Sequence, residues 1–384
     1  MRPSVSSAPA TLEIVAGDAQ EAPATLATPN GPTVLVRDSA GVPQPGQAVT
    51  FRVRDGDGWL VSEHGLTDST GHASAAWYLG PRPGRDNALE AIAGPGLTVR
   101  FTARTTALEL ARSYPGLHGY IEYVPGDLPV VLSVPHGGGL RPDDIPDRQL
   151  GATSADVNTL EVALAAVDEF LRRTGGRPHL IICHLHRIKL DANRELAVAA
   201  QGQTDALIAW REFHAFIEAA RIDVLDRFGL GMYVDVHGHA HPQPLLELGY
   251  LVHADLLAGP DSVLDLPEIA QTSSLRTLVE LSGAPLSGLV RGPGSLGALF
   301  DRRGYLSVPG PMFPHPGSNP FFQGGYNTAR HGSLNGGPIS GVQIEAPYPG
   351  FRDTPENQIG FGTAIATVFD DFFAYHFGAW PAKN

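Results

Sequence analysis

The chain has 384 residues, a net charge of −13, a single cysteine and 42% hydrophobic residues. The acidic balance argues against a nucleic-acid partner, which wants a basic face, and against an anionic membrane surface. One cysteine, Cys183, excludes an internal disulfide framework and any multi-cysteine metal site. A metal here must be held by imidazole and carboxylate, and there are 15 histidines to draw on. The 45 glycines and 33 prolines predict a chain rich in turns. No run approaches the roughly 18 apolar residues of a membrane span. Residues 1–9 lack the apolar stretch of a signal peptide and read as a disordered leader remnant, so the protein is either exported with its leader removed or cytoplasmic. Nothing in the pattern fixes an oligomeric state.

Residues 10–106 read as β throughout. Short runs rich in β-branched and aromatic residues (TLEIVAG, PTVLVRD, QAVTFRVR, GHASAAWYL, NALEAIA, LTVRFTART) alternate with turn signals such as Asp38-Ser39-Ala40-Gly41 and Asp68-Ser69-Thr70-Gly71. Val49, Phe51 and Val53 alternate with Thr50, Arg52 and Arg54, as a half-buried strand requires. Six or seven such strands predict a β-sandwich. No titratable cluster lies here, so a spacer or scaffold is the expected role. "VLVRDSAGVPQPGQAVTFRV" and "TDSTGHASAAWYLG" resemble the bacterial Ig-like domain of the invasin and intimin type. That resemblance implies a secreted or cell-surface protein.

Residues 107–117 read as a linker, and 118–384 as an α/β domain. Val130–Val134 is a near-continuous apolar strand, and Leu180–Cys183 another. Between them, Ala155–Arg173 sets Val157, Leu160, Leu164, Val167 and Leu171 at helical spacing. A long amphipathic helix over Asp205–Phe228, strands at Met232–His237 and Gly341–Glu345, and a closing helix over Asn357–Phe377 follow. The expected fold is a mixed, largely parallel sheet covered by helices, of phosphorylase/hydrolase-like type, with its site beyond the carboxyl ends of strands.

Three motifs stand at those ends. In Ser133-Val134-Pro135-His136-Gly137-Gly138-Gly139, a histidine leaves an apolar strand into a glycine turn, as a ligand or as a loop residue without a role. In Tyr233-Val234-Asp235-Val236-His237-Gly238-His239-Ala240-His241, period two puts Tyr233, Asp235, His237 and His239 on one face, with His239 and His241 read as bystanders. A histidine with a carboxylate two residues before it suits a supported metal ligand. In Val342-Gln343-Ile344-Glu345-Ala346-Pro347, Glu345 lies in an apolar strand and is either structurally paired or catalytic, because a buried unpaired carboxylate is costly. Arg187 to Arg194 adds cations and an amide, suited to a carboxylate or held as a loop by Asp191–Arg pairs. Gly324 to Gly332 reads as a polar loop bounded by glycines, either a mobile substrate loop or an irregular connection.

Taken together, "SVPHGG", "ADVNTLEVALAAVDEF", "RIKLDANR", "VDVHGH", "GGYNTARHG" and "VQIEAPYPGFRD" resemble the N-formylglutamate amidohydrolase family, within the zinc-carboxypeptidase-like fold. The resemblance covers roughly 118–377. It implies one zinc ion held by His136, His237 and a carboxylate. Carboxypeptidases use His-x-x-Glu, but Gly139 stands at that third position. The family's counterpart is Asp156, with Glu161 as the alternative on another face of the same helix. With that ligand set, Glu345 reads as general base and Arg187 or Arg330 as oxyanion stabiliser. Asn193 and Arg194 read as contacts to a substrate carboxylate, matching the Asn-Arg pair of carboxypeptidase-like enzymes. Tyr326 in the glycine-bounded loop and Arg352 just past the Glu345 strand read as further substrate contacts. The expected substrate is a small N-acyl amino acid or peptide-like amide with a free carboxylate. Zinc N-acetylmuramoyl-alanine amidases share the His-Gly-Gly turn, the acidic ligand, the strand histidine and the late Glu, so a cell-wall amidase is the second reading. A surface binding protein that retains no metal is the third.

Overall fold

The computed structural model describes residues 8–334 and 337–383. Residues 1–7 of the expected leader remnant lie outside the described residues. The chain divides into two compact units, 1–109 and 110–384.

The first unit is a β-sandwich. A three-stranded sheet is built from Pro9–Ala16, Thr33–Asp38 and His72–Ser74. A five-stranded sheet is built from Gln20–Pro23, Ala48–Asp55, His64–Leu66, Asp86–Gly94 and Leu97–Thr106. Alternation explains the packing: Val49 and Phe51 turn into the core while Arg52 and Arg54 face water. Val34, Val36, Phe51, Trp77, Leu89 and Phe101, drawn from both sheets and the segment between them, form one apolar cluster.

The second unit carries an eight-stranded sheet: β1 (Tyr114–Pro115), β2 (Ile121–Val124), β3 (Val130–Val134), β4 (His179–Cys183), β5 (Gly231–His239), β6 (Leu246–Gly249), β7 (Ser307–Val308) and β8 (Ile339–Pro347). The order is β1-β2-β4-β3-β5-β8-β6-β7. The four central strands β4, β3, β5 and β8 are parallel, and antiparallel pairs flank them. Strand β1 lies within the segment expected to be a linker.

Period two sorts the central strands into an apolar face and a chemical face. Val130, Leu132 and Val134 of β3, Met232, Val234 and Val236 of β5, and Val342, Ile344 and Ala346 of β8 join one large core. Helices α1 (Thr159–Thr174) and α4 (Pro355–Phe377) cover it through Val162, Ala166, Phe170, Phe361, Ile365 and Phe369. Helix α2 (Thr204–Phe228) covers the opposite face, where its Phe216 meets Tyr123 of β2 at 5.5 Å between centroids, and the short helix α3 (Tyr326–His331) precedes β8. Ser133, Tyr233, Asp235, His237, Gln343 and Glu345 occupy the alternate positions of β3, β5 and β8, on the side away from the large core.

The buried side of α1 differs in part from the expected one. Leu160 and Val167 pack against the core as expected, but the fully buried positions are Val162, Ala163, Ala166 and Phe170; Leu164 and Leu171 are exposed, as is Val157, which precedes the helix. Close approach decides this: at Gly362 of α4, a Cβ would stand 2.6 Å from Ala165 Cβ and 2.7 Å from Val162 O. The face bearing small residues is therefore the one that can meet α4. Between β6 and β7 the chain forms six short helices, from Ala254–Ala258 to Leu296–Asp301. No helix among the described residues is long and apolar enough to cross a membrane.

Candidate metal centre

His136 follows β3, Asp156 lies on the loop before α1, and His237 and Glu345 lie near the ends of β5 and β8, directly opposite each other in register. All four are buried. Asp156 Oδ2 stands 3.3 Å from His136 Nδ1 and 3.0 Å from His237 Nδ1. The three ligand atoms lie within 4.8 Å of one another.

Both imidazoles are fixed from behind. His136 Nε2 bonds Asp191 Oδ1 at 2.7 Å, and His237 Nε2 bonds Asp235 Oδ2 at 2.7 Å. Each carboxylate fixes a proton on Nε2 and turns Nδ1 toward Asp156. Asp191 is held by Arg187 Nε at 3.0 Å and by the Asn193 backbone N–H at 3.1 Å. Asp235 Oδ1 accepts from Ser133 Oγ at 2.6 Å, Tyr233 Oη at 3.1 Å and Asn327 Nδ2 at 3.4 Å. Zinc ligands at about 2.0–2.2 Å in a tetrahedron stand roughly 3.3 Å apart. The two Asp–His separations fit that spacing, and two imidazoles with one carboxylate are a donor set suited to zinc.

The electrostatics follow from the geometry. Burial alone would raise Asp156, but His136 and His237 beside it hold its carboxyl far below the usual range. Burial would lower His237, yet Asp235 and Asp156 raise it well above an ordinary histidine. Burial pushes Glu345 up to about 8; His237 opposes the shift, and Asp156 and Glu247 add to it. Gln343 Nε2 donates to Glu345 Oε1 at 2.9 Å, while Oε2 is buried with no hydrogen-bond partner.

The remaining predicted residues are spread more widely. Arg187 NH1 lies 3.7 Å from Asp156 Oδ1, beside the centre. Arg330 instead lies over the Trp210 ring at 5.2 Å and donates to Tyr326 Oη at 3.0 Å. Glu161 is exposed and no contact joins it to the histidines, so Asp156 holds the carboxylate position. Asn193 is buried, and its Oδ1 accepts from the Asn327 backbone N–H at 2.8 Å. Arg194 is exposed and donates to the Asn193 carbonyl at 2.7 Å. Arg352 differs from the expectation of a substrate contact. It is 4% exposed, and its donors are directed at the backbone carbonyls of Val157, His239 and Ala346. Residue patterns missed Asp191 as the anchor of His136. They also missed Gln343, whose signal was the same period-two alternation, and Asn327; the glycine-bounded segment read as a loop forms the short helix Tyr326–His331, which carries Asn327.

A second cluster, His239, His241 and Glu247, is spent on local bonds. His239 Nδ1 accepts from the His241 backbone N–H at 3.0 Å, and Nε2 faces the Leu245 carbonyl at 2.9 Å, so neither nitrogen offers a free lone pair.

No family model and no curated protein sequence matches the chain. Among solved structures, it is similar to N-formylglutamate amidohydrolase from Ralstonia eutropha JMP134, at 16% identity over 66% of this chain and 98% of that one, with a TM-score of 0.41. It is similar to gene product Atu2144 from Agrobacterium tumefaciens, at 15% identity over 67% and 95%, with a TM-score of 0.40. It is also similar to the D00-D0 domain of intimin, at 17% identity over 28% of this chain and 51% of that one, with a TM-score of 0.21.

Proposed function

We propose that the second unit is a zinc-dependent amide hydrolase, with His136 Nδ1, Asp156 Oδ2 and His237 Nδ1 as ligands and Glu345 as general base. One observation carries this reading. Two histidines are anchored through Nε2 by separate buried carboxylates, and both turn Nδ1 onto a third. A structural cluster has no need of two such anchors.

When held by His136, Asp156 and His237, zinc would supply a Lewis acid for the scissile carbonyl and would acidify the attacking water. Gln343 holds Glu345 Oε1 and leaves Oε2 to act as the base. Glu345 accepts a proton from the attacking water as the new C–O bond forms, and returns it to the leaving nitrogen as the C–N bond breaks. The products are a carboxylate and an amine. Arg187, 3.7 Å from Asp156, is the guanidinium placed to meet negative charge growing on the carbonyl oxygen. Arg194 is the exposed guanidinium available to a substrate carboxylate. The substrate class is a small N-acyl amino acid or peptide-like amide bearing a free carboxylate.

The test is a screen of the zinc-loaded full chain against N-formyl and N-acetyl amino acids, dipeptides and muropeptides. The muropeptides are included because the first unit resembles modules of bacterial surface proteins. Hydrolysis of an acidic amide that is abolished by chelation and restored by zinc supports the reading. Zinc-loaded protein inert toward every class would refute it.

A further inference from the structure

We propose that Arg352 is the positioning residue of this centre: its buried guanidinium clamps the Asp156 loop to the ends of the two strands that carry His237 and Glu345. Three guanidinium bonds, together with a return bond from Asn158 to the Arg352 carbonyl, define the clamp. NH1 donates to the Val157 carbonyl, one residue past Asp156. NH2 donates to the His239 carbonyl at 3.2 Å, two residues past His237. Nε donates to the Ala346 carbonyl at 3.2 Å, one residue past Glu345. The hold is reciprocal, because the Arg352 carbonyl accepts from Asn158 Nδ2 at 2.7 Å and from Gln358 Nε2 at 3.1 Å.

The Asp156 loop needs such a hold. His237 and Glu345 are set by the β5–β8 register, but Asp156 belongs to no strand or helix. Asn158, two residues on, has φ 66°, a left-handed conformation that only a few side chains accept without cost. The strand ends are shaped around the guanidinium. A Cβ on Gly238 would come within 2.4 Å of Arg352 Cζ, so β5 carries glycine where the clamp passes. The Tyr348 ring lies 5.1 Å from the guanidinium carbon. A planar fork with five donors can serve three carbonyls at once, whereas a lysine ammonium is a point charge on a flexible stem.

The inference rests on the reading of His136, Asp156 and His237 as zinc ligands, and its test needs no substrate. Zinc affinity of the full chain is measured by competition with a chromophoric chelator. The cobalt-substituted protein reports ligand geometry through its visible absorption. Arg352→Lys should weaken zinc about tenfold, the scale of losing an outer partner of a metal ligand, and change the cobalt spectrum. Asn158→Gly keeps the left-handed turn and removes one leg of the clamp, so it should fold and show a smaller loss. Wild-type affinity and an unchanged cobalt spectrum in both variants, whatever their thermal stability, would overturn the clamp. If Arg352→Lys does not fold, unchanged zinc binding by Asn158→Gly overturns it alone. A wild-type chain that takes up no zinc would instead sink the metal reading, and the clamp with it.

Discussion

Asp235→Asn replaces one oxygen with a nitrogen and tests how the centre is assembled. Asp235 Oδ1 accepts from Ser133, Tyr233 and Asn327, and Oδ2 faces His237 Nε2 at 2.7 Å. Both oxygens are acceptors, so His237 must present a protonated Nε2, and a cation can take Nδ1. An amide has one acceptor oxygen. With three donors on the Oδ1 side, the oxygen goes there and the NH2 faces His237. Nε2 must then accept, the ring proton moves to Nδ1, and Nδ1 can no longer bind a metal. Restoring the productive tautomer leaves two donors facing each other, at a cost of about 1–3 kcal/mol for the buried polar mismatch. The corresponding loss is about fivefold to 150-fold in zinc affinity. The assay is chelator competition at constant pH on the full chain, with circular dichroism to show that the near-isosteric variant folds. Unchanged affinity in folded Asp235→Asn would refute the tautomer argument.

Glu345→Gln should keep zinc and fold but lose most turnover in steady-state kinetics, because an amide cannot accept the proton; near-wild-type rates would make Glu345 structural. Arg194→Ala should lower kcat/KM for an acidic amide by about tenfold to a hundredfold, the scale of a charged hydrogen bond. It should leave the same substrate with its carboxylate amidated almost unaffected, and equal losses on both would remove the carboxylate contact. Without metal, the stability that Glu345 contributes is fully present below its ordinary 4.5 and is lost as pH rises through about 8. His237, also raised, acts in the same direction, while Asp156 and Asp191 are depressed and contribute stability that is lost in acid. Melting of zinc-free protein should therefore shift downward from about pH 6 to pH 9, and zinc should reverse the shift. Zinc binding at neutral pH should also release protons, since ligation needs a neutral His237. Calorimetry in buffers of different ionisation enthalpy measures that release.

The sequence resolves strands better than loops, for a physical reason. Alternation along β5 put Tyr233, Asp235 and His237 on one face, and the structure joins them in one hydrogen-bonded chain. Asp156 carries no such signal, because it sits in an irregular loop placed by tertiary bonds. Its candidacy came from a family resemblance and not from periodicity. Arg352 read as a substrate contact because an arginine near a strand end looks the same whether its fork meets a ligand or three backbone carbonyls. The α1 face misled in part because bulky residues dominate an apolar pattern, while Ala165, Ala166 and Gly362 decide how closely two helices approach. The short helices between Ala254 and Asp301 are each too brief to show a period, and the two-residue strand Ser307–Val308 gives no alternation.

The central claim is that His136, Asp156 and His237 hold one zinc ion. Elemental analysis of the full chain, purified without chelator and dialysed against trace zinc, tests it most directly alongside His136→Ala, Asp156→Ala, His237→Ala and Glu161→Ala. The account predicts about one equivalent in the wild type and in Glu161→Ala, and little zinc in the other three variants. Full zinc retained by both histidine variants, or no zinc in the wild type, would contradict it.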